Sequence, residues 1–544
     1  MLVQRRPILL LRNGSFYTMN PSQPHASAVA VDRTSGRILA VGDDIEIGKL
    51  AGPLTDSLNI GGRTVLPGFI DSHIHLGHYA QSRLDIDLRG ATSMEAAVEL
   101  VRKRAEHTPT GQWIQGQGWD KNLWPGDQFP TRASLDSVTP EHPVALWDHA
   151  HHAMWVNSEA LRRAGIDSKT PQPGRGTIGR EADETPNGML FESGATDLVN
   201  AVIPPTDDTV LEGELDTVLG ELQSRGITGI HNIEDQESFR LLQRLHASGR
   251  LGIRVLLYLQ KRSLPEAIQL GLQADFGDDY LRFAGIKLFM DGALGPQTAA
   301  MLEPYAHQPS NRGLLTMDEQ EVAGIVGTAT EGGLGLAIHA IGDRAVRAAL
   351  DGIEATLAEN AAKQPGQRTP IHRIRLEHVQ LAAPADIARM SRLGVVASVQ
   401  PFHAVVDRDT AERHWGRRHE RSYAYKTLLQ AGIPLALGSD LPVDTADPLR
   451  ILHAAVTRRN DKEPNRTSWL PDQALTVAEA LWAYTMGAAY AGGQEQHQGS
   501  LEPGKLADMV VLGEDPFTVP PDRLAGAPVV ATLVGGHLAF GALE

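Results

Sequence analysis

Short apolar runs along this chain alternate with longer stretches in which apolar positions recur every three or four residues, the patterns of buried strands and of amphipathic helices. The rhythm is clearest from about residue 210 onward. Helix-like Leu211 to Arg225 precedes strand-like Ile227 to Asn232, and helix-like Glu237 to Ser248 precedes Ile253 to Leu259. Pro265 to Ala274 reads as a helix before the strand Phe283 to Met290. Glu319 to Gly332 does so before Gly335 to Ile341, and Ala345 to Asn360 before Ile374 to Val379. The last two pairs are Ala385 to Leu393 with Val395 to Gln400, and Tyr423 to Ala431 with Pro434 to Gly438. With the apolar run Thr64 to Ile70 these make eight strands, which predicts an α/β chain built on a closed (β/α)8 TIM-type barrel. An open doubly wound sheet would carry a Gly-rich phosphate turn after its first strand, and Gly116-x-Gly118 lacks the third glycine.

Outside that rhythm the pattern changes. Residues 8–60 read as short strands and turns: Ile8 to Leu11, a turn at Asn13-Gly14, Ala28 to Val31 and Arg37 to Val41. After the barrel, Val477 to Tyr490 reads as helix. Met509 to Leu512 and Val529 to Val534 then return to strand, after a turn at Pro503-Gly504-Lys505. Strands at both ends predict a composite β-sandwich domain from residues 1–63 and 495–544, with the barrel over 64–494. The region from about 80 to 205 does not alternate and reads as a subdomain inserted after the first barrel strand. It holds a helix (Ser93 to Glu106), strand-like Trp113 to Gln117 and Pro143 to Trp147, and a Pro- and Gly-rich loop from Pro171 to Gly188. Its Trp119, Trp124, Trp147 and Trp155 read either as the insert's own core or as an apolar lid for the barrel mouth.

Composition narrows the chemistry. The length of 544 residues calls for more than one domain. A formal charge of -16, from 50 Lys and Arg against 66 Asp and Glu, disfavours nucleic-acid partners. There is no cysteine, so any metal must be held by His, Asp, Glu or a modified Lys. The apolar run Pro7 to Leu11 is too short for a secretory signal, and no stretch approaches the roughly 18–20 residues that span a bilayer. A cytoplasmic protein without membrane contact is expected, with a homo-oligomer left open.

Barrel active sites are built at the C-terminal ends of the strands. There the sequence offers His73 and His75, which share a face because side chains two apart on a strand point the same way. It also offers Lys287 within Ile286-Lys287-Leu288-Phe289, His339, His378 and Asp440. Neutral imidazoles beside a carboxylate suit zinc, though manganese, iron or cobalt accept the same nitrogen and oxygen donors. An ammonium at Lys287 would suffer desolvation and repulsion from nearby cations. Its neutral amine can take up carbon dioxide as a carbamate able to bridge two ions; a buried Lys287 paired with Asp291 is the alternative.

At these residues the chain resembles the amidohydrolase superfamily, and within it the YtcJ-like branch that includes N-substituted formamide deformylases. The matching motifs are Pro67-Gly68-Phe69-Ile70-Asp71-Ser72-His73-Ile74-His75, Gly116-x-Gly118-Trp119-Asp120 and His152-x-x-Trp155-Val156-Asn157-Ser158. They continue with Lys287-Leu288-Phe289-x-Asp291-Gly292, His339-Ala340-Ile341-Gly342-Asp343, Glu377-His378, Gly438-Ser439-Asp440 and Gly504-Lys505-x-Ala507-Asp508. The resemblance implies one or two divalent ions, most simply zinc. His73, His75 and Asp440 would hold one ion, His339 and His378 the other, and carboxylated Lys287 would bridge. It further implies hydrolysis of an N-acyl or N-formyl amide of a small molecule, with Asp440 as general base and then acid. Trp119, Asp120, His152 and Asp291, which lie in the matched motifs, become candidate substrate contacts. A deaminase or esterase would use the same water attack. A non-catalytic metal-binding regulator is the reading from another class, and the presence of all six candidate ligands speaks against it.

Overall fold

The computed structural model describes residues 7–363 and 373–543. The chain forms two compact units: one of Met1–Leu76, Leu215–Met290 and Met317–Glu544, the other of Gly77–Glu214 and Asp291–Thr316.

The first unit contains the barrel. Its strands run Phe69–Ile74, Ile227–Glu234, Arg254–Gln260, Leu281–Phe289, Gly335–Ala340, Ile374–His378, Val396–Val399 and Leu435–Leu437, each hydrogen-bonded in parallel to the next. These strands are almost wholly buried, which is why they read as apolar runs rather than as alternating ones. The eighth strand meets the first through the residues just beyond it. Asp440 N donates to His73 O at 2.7 Å and His75 N to Leu441 O at 2.9 Å. Buried Asp71 reinforces this seam, since its Oδ1 accepts from His73 N at 3.1 Å and from Ser439 N at 2.9 Å. Gly438 is needed there because a Cβ would stand 2.6 Å from His73 N.

The run Thr64 to Ile70, read above as one strand, is two. Thr64–Pro67 pairs with Met509–Leu512 and with Ser15 and Phe16, whereas Phe69–Ile74 opens the barrel. The chain crosses between them at Gly68, where a Cβ would lie 2.1 Å from Thr228 Oγ1. Thr64–Pro67 thus belongs to a six-stranded sheet, ordered His537–Gly541, Val529–Val534, Met509–Leu512, Thr64–Pro67, Ser15–Tyr17, His25–Ala26. A four-stranded sheet of Arg37–Gly42, Ala28–Asp32, Ile8–Arg12 and Thr55–Asn59 accompanies it. Leu9, Leu11 and Val31 from the N-terminal strands share one core with Val65, Met509, Val511 and Leu533. Arg254 of the third barrel strand makes a bidentate pair with Asp508, 2.5 and 2.8 Å, locking this β layer to the barrel.

The second unit is organised on a six-stranded sheet ordered Thr177–Arg180, Pro186–Phe191, Ala153–Val156, Val144–Asp148, Ile114–Trp119, Ile86–Asp87. The segment expected as loop over 171–188 supplies two of these strands, paired antiparallel around a turn at 181–185. Its Pro and Gly residues mark the approach and the turn, and the strands were hidden between them. Asp291–Thr316, which directly follows the fourth barrel strand, also belongs to this unit, an assignment that the periodicity did not reveal. Among the described residues no helix is long and apolar enough to cross a membrane.

Replacing Gly68 by Ala should lower stability by about 1–3 kcal/mol through overpacking against Thr228. Gly220→Ala, on an open face of the helix Asp208–Ser224, should be neutral or slightly stabilising. Urea unfolding of both variants tests the comparison, and equal midpoints would remove the steric role given to Gly68.

Candidate metal centre

All six residues expected at the barrel mouth are set on the strand ends of the first unit. His73 and His75 close the first strand, Lys287 lies in the fourth, His339 in the fifth, His378 ends the sixth, and Asp440 follows the eighth. One donor atom each from His73, His378 and Asp440 lie within 4.8 Å of one another. His75 Nε2 is 3.1 Å from Asp440 Oδ1, and His73 Nε2 is 3.5 Å from the same oxygen. The His339 ring packs edge-on to His378, centroids 4.6 Å apart. Lys287 Nζ lies 3.5 Å from His73 Nε2 and 4.9 Å from the Phe289 ring centre.

The imidazoles are turned by what their Nδ1 atoms meet. His73 Nδ1 donates to Glu377 Oε2 at 2.5 Å, His75 Nδ1 to the Ile233 carbonyl at 2.7 Å, and His378 Nδ1 to Gln400 Oε1 at 2.9 Å. Each acceptor fixes a proton on Nδ1 and leaves Nε2 for a cation, the arrangement found around metal-bound histidines. Glu377 and His378 are consecutive, so in an ordinary strand they would point to opposite faces. Left-handed backbone at His378 (φ 73) and Val379 (φ 43) breaks that alternation, and Asp440 (φ 59) is turned in the same way. Strain of this kind persists where the surrounding structure over-determines a site.

Electrostatics favours the same use. Burial, with Lys287 nearby, pushes His73 down to about 4, and burial with the other imidazoles holds His378 well below its ordinary value. Both rings are therefore neutral ligands at pH 7. Burial works against a charge on His75, but its hydrogen bond to Asp440 outweighs this and raises it. His75 Nε2 and Asp440 Oδ1 face each other at 3.1 Å, where a divalent cation would be held between them. Burial also lowers Lys287 to about 8, which leaves a fraction of the amine uncharged at neutral pH. Burial would protonate Asp440 and Glu377, yet both are held well below the usual carboxylate range. The imidazoles hold Asp440, and Arg375 with His73 holds Glu377. Three inward nitrogens and a carboxylate fit a divalent ion of the zinc class.

Several residues at this centre were not given a site role from the sequence, although Glu377 lay in a matched motif. His403 Nε2 lies 3.7 Å from Asp440 Oδ2 and 3.6 Å from Asp444 Oδ2, and its ring stacks on His378. It sits on the helix Pro401–Val406, just past the seventh strand, so a search confined to strand ends passes over it. Arg375 and Glu377 form a fully buried pair behind His73. The Nε–Oε1 distance is 2.5 Å, and Arg375 also bonds His231 Nδ1 at 2.7 Å, Ser398 Oγ at 3.2 Å and the Ser72 carbonyl. An Arg two residues before a Glu on a barrel strand places both on the inner face, which is the signal that was available.

The four candidate substrate contacts lie in the second unit. Trp119 is 1% exposed, packs with Trp124 and Trp155, and donates its indole N–H to Leu146 O. Asp120 Oδ1 accepts from Asn122 N at 2.9 Å. His152 Nδ1 is 2.9 Å from Glu192 Oε2. Burial opposes its charge, but Glu192, Asp148 and Asp291 raise it to about 9. Asp291 Oδ2 accepts from Ala300 N at 2.9 Å.

Comparison with known proteins bears on the family and the fold. The profile of the Amidohydrolase family matches residues 58–540. The putative amidohydrolase YtcJ of Bacillus subtilis is 31% identical over 536 residues, covering 97% of this chain and 98% of that protein. An N-substituted formamide deformylase of Arthrobacter pascens is 28% identical over 559 residues, covering 99% of both. Among solved structures, an uncharacterized metal-dependent hydrolase of Pyrococcus horikoshii superposes with a TM-score of 0.76 at 28% identity, over 94% of this chain and 99% of that one.

Glu377→Gln leaves Arg375 buried without its anion and His73 without its anchor. Stability should fall by about 3–5 kcal/mol and metal affinity by roughly 10–100-fold. Adding Arg375→Met should restore part of the stability and none of the affinity. Urea unfolding and chelator competition with zinc measure the two effects; unchanged zinc affinity in Glu377→Gln would detach Glu377 from the metal centre.

Proposed function

The chain belongs to the amidohydrolase family, and from that premise we propose that it hydrolyses a carbon–nitrogen bond of a small non-peptide amide, an N-acyl or N-formyl group. It is a metal-dependent hydrolase of that superfamily. The observation that carries the reading is the convergence of His73 and His75, through Nε2, and of the His378 ring on Asp440, with each imidazole fixed through Nδ1. The full-length similarity to a formamide deformylase supports the choice of amide over other carbonyl substrates.

His73, His75, His378 and Asp440 would hold an ion, with His339 and Lys287 reaching the same mouth. A divalent ion there supplies a lowered pKa for water and polarisation of the scissile carbonyl. The chain's own residues do the rest. Asp440, ionised and beside the imidazoles, takes the proton from the attacking water as the carbon–oxygen bond forms. It returns that proton to the leaving nitrogen as the carbon–nitrogen bond breaks, giving a carboxylic acid, which loses its remaining proton to water or to the amine, and an amine. The Glu377–Arg375 pair keeps His73 from drifting during this exchange, because neither member can leave its buried partner.

Lys287 is the proposed carbamate. Its lowered pKa leaves some amine free to add to carbon dioxide with release of a proton, and the product carboxylate would serve as a further oxygen ligand.

In an assay with N-formyl and N-acyl amines, Asp440→Asn and His73→Ala should lower kcat by about 10²–10⁴ while unfolding stays cooperative. Chelator should abolish turnover and zinc restore it. Turnover of esters or ring amidines with no amide cleaved would replace the substrate class, and unchanged kcat in Asp440→Asn would overturn the site. For the carbamate, protein reconstituted with ¹³C-bicarbonate should show a carbamate carbon signal that Lys287→Met lacks. Full zinc uptake in carbon-dioxide-free buffer, with no such signal, would return Lys287 to an amine.

A further inference from the structure

In the unit that holds the metal centre, a buried cation lies without a carboxylate partner among the described residues. Arg458 follows the helix Pro448–Thr457, is 1% exposed, and holds a left-handed backbone with φ 55. Its guanidinium lies 5.1 Å from the Tyr425 ring centre and 5.7 Å from that of Trp469. Tyr423 packs on Trp469 at 5.6 Å, on Trp415 at 6.1 Å and on Tyr425 at 6.4 Å, so the cation sits against a buried aromatic shell. Arg458 Nε donates to the Trp469 carbonyl at 3.1 Å. Among the described residues, Nη1 and Nη2 have no acceptor, and neither do the indole N–H groups of Trp469 and Trp415. The two tyrosine hydroxyls donate elsewhere, Tyr423 to Asp407 Oδ2 at 2.7 Å and Tyr425 to the Gln400 carbonyl at 3.0 Å, and the neutral Tyr425 oxygen that faces the guanidinium brings it no counter-charge.

A guanidinium stays protonated at any physiological pH, and a buried charge requires a counter-charge. The unsatisfied groups here are all donors, one of them a full cation, so their complement is an anion. A guanidinium at 1% exposure among indole and phenol rings favours a small, monatomic anion. We propose that Arg458 and the indole N–H of Trp469 bind a chloride ion. The site connects to the metal centre by short links. Tyr425, which lies under Arg458, holds the backbone of Gln400, and Gln400 Oε1 orients His378. A halide would therefore stiffen the support of one ring at the barrel mouth, whatever substrate is cleaved there.

The test uses the full-length protein dialysed into sodium gluconate and titrated with sodium chloride at constant ionic strength. Thermal unfolding should shift upward by roughly 2–4 °C and saturate, as binding to the folded state alone requires. Bromide should reproduce the shift, and crystals grown in bromide should give an anomalous peak between Arg458 Nη and Trp469 Nε1. Trp469→Phe keeps the ring and the carbonyl used by Arg458 Nε, and should raise the half-saturating chloride concentration by about tenfold. Arg458→Met should abolish the response. If that variant does not fold, Trp469→Phe and the bromide peak still decide. Equal unfolding temperatures in chloride and gluconate, an unaltered response in Trp469→Phe, or a water in place of the bromide peak would each overturn the site.

Discussion

The structure of the barrel mouth depends on one buried ion pair, Arg375 with Glu377. Both are fully enclosed, and at short range in a low-dielectric interior neither charge is tolerable without the other. The pair is also a hub. Arg375 bonds to Ser72 on the first strand, His231 on the second and Ser398 on the seventh, so a single side chain from the sixth strand spans the barrel interior. Barrel interiors are ordinarily filled by branched apolar side chains, which pack well but do not fix rotation. Substituting a charged network in this layer gives directional contacts, and His73 inherits its orientation from them through Glu377.

The two rings His73 and His378 are thus supported in contrasting ways. His73 leans on an ionised carboxylate, which raises the basicity of its free nitrogen. His378 leans on the neutral amide of Gln400, which positions without adding charge. Two nearby imidazoles with different donor strength and a shared carboxylate, Asp440, would present an ion with unequal donors. Asymmetry of this kind suits a centre where one oxygen must be activated while another is merely held.

Much of this was legible in the amino-acid pattern, for a physical reason. A barrel strand is buried on both faces and so appears as an apolar run, and a side chain facing the mouth at its end appears as a polar residue in a fixed place, as at Ile338-His339 and Leu376-Glu377-His378. What stayed hidden lay where that rule fails. Thr64 to Ile70 is uniformly apolar although the chain changes sheets within it, because both sheets bury it equally. His403 belongs to a helix beyond its strand, and Asp291–Thr316 joins the second unit through tertiary packing that no local periodicity records. Arg458 carries no motif at all; only its enclosure by Tyr425 and Trp469 makes it notable.

The seam at which the barrel closes has a temporal consequence. Asp71 on the first strand receives its bond from Ser439 across 368 positions of sequence, and the strand just before it pairs with Met509–Leu512 near the far end of the chain. Contacts of such long range form late, because the loop they close must first be synthesised and then ordered. A ribosome carrying the first half of this protein holds His73 and His75 with neither Asp440 nor the closing strand to meet them. The nascent chain therefore has a stray pair of imidazoles but no assembled cluster, and capture of an ion by the proposed ligands would be a late event of maturation rather than a nucleus for folding.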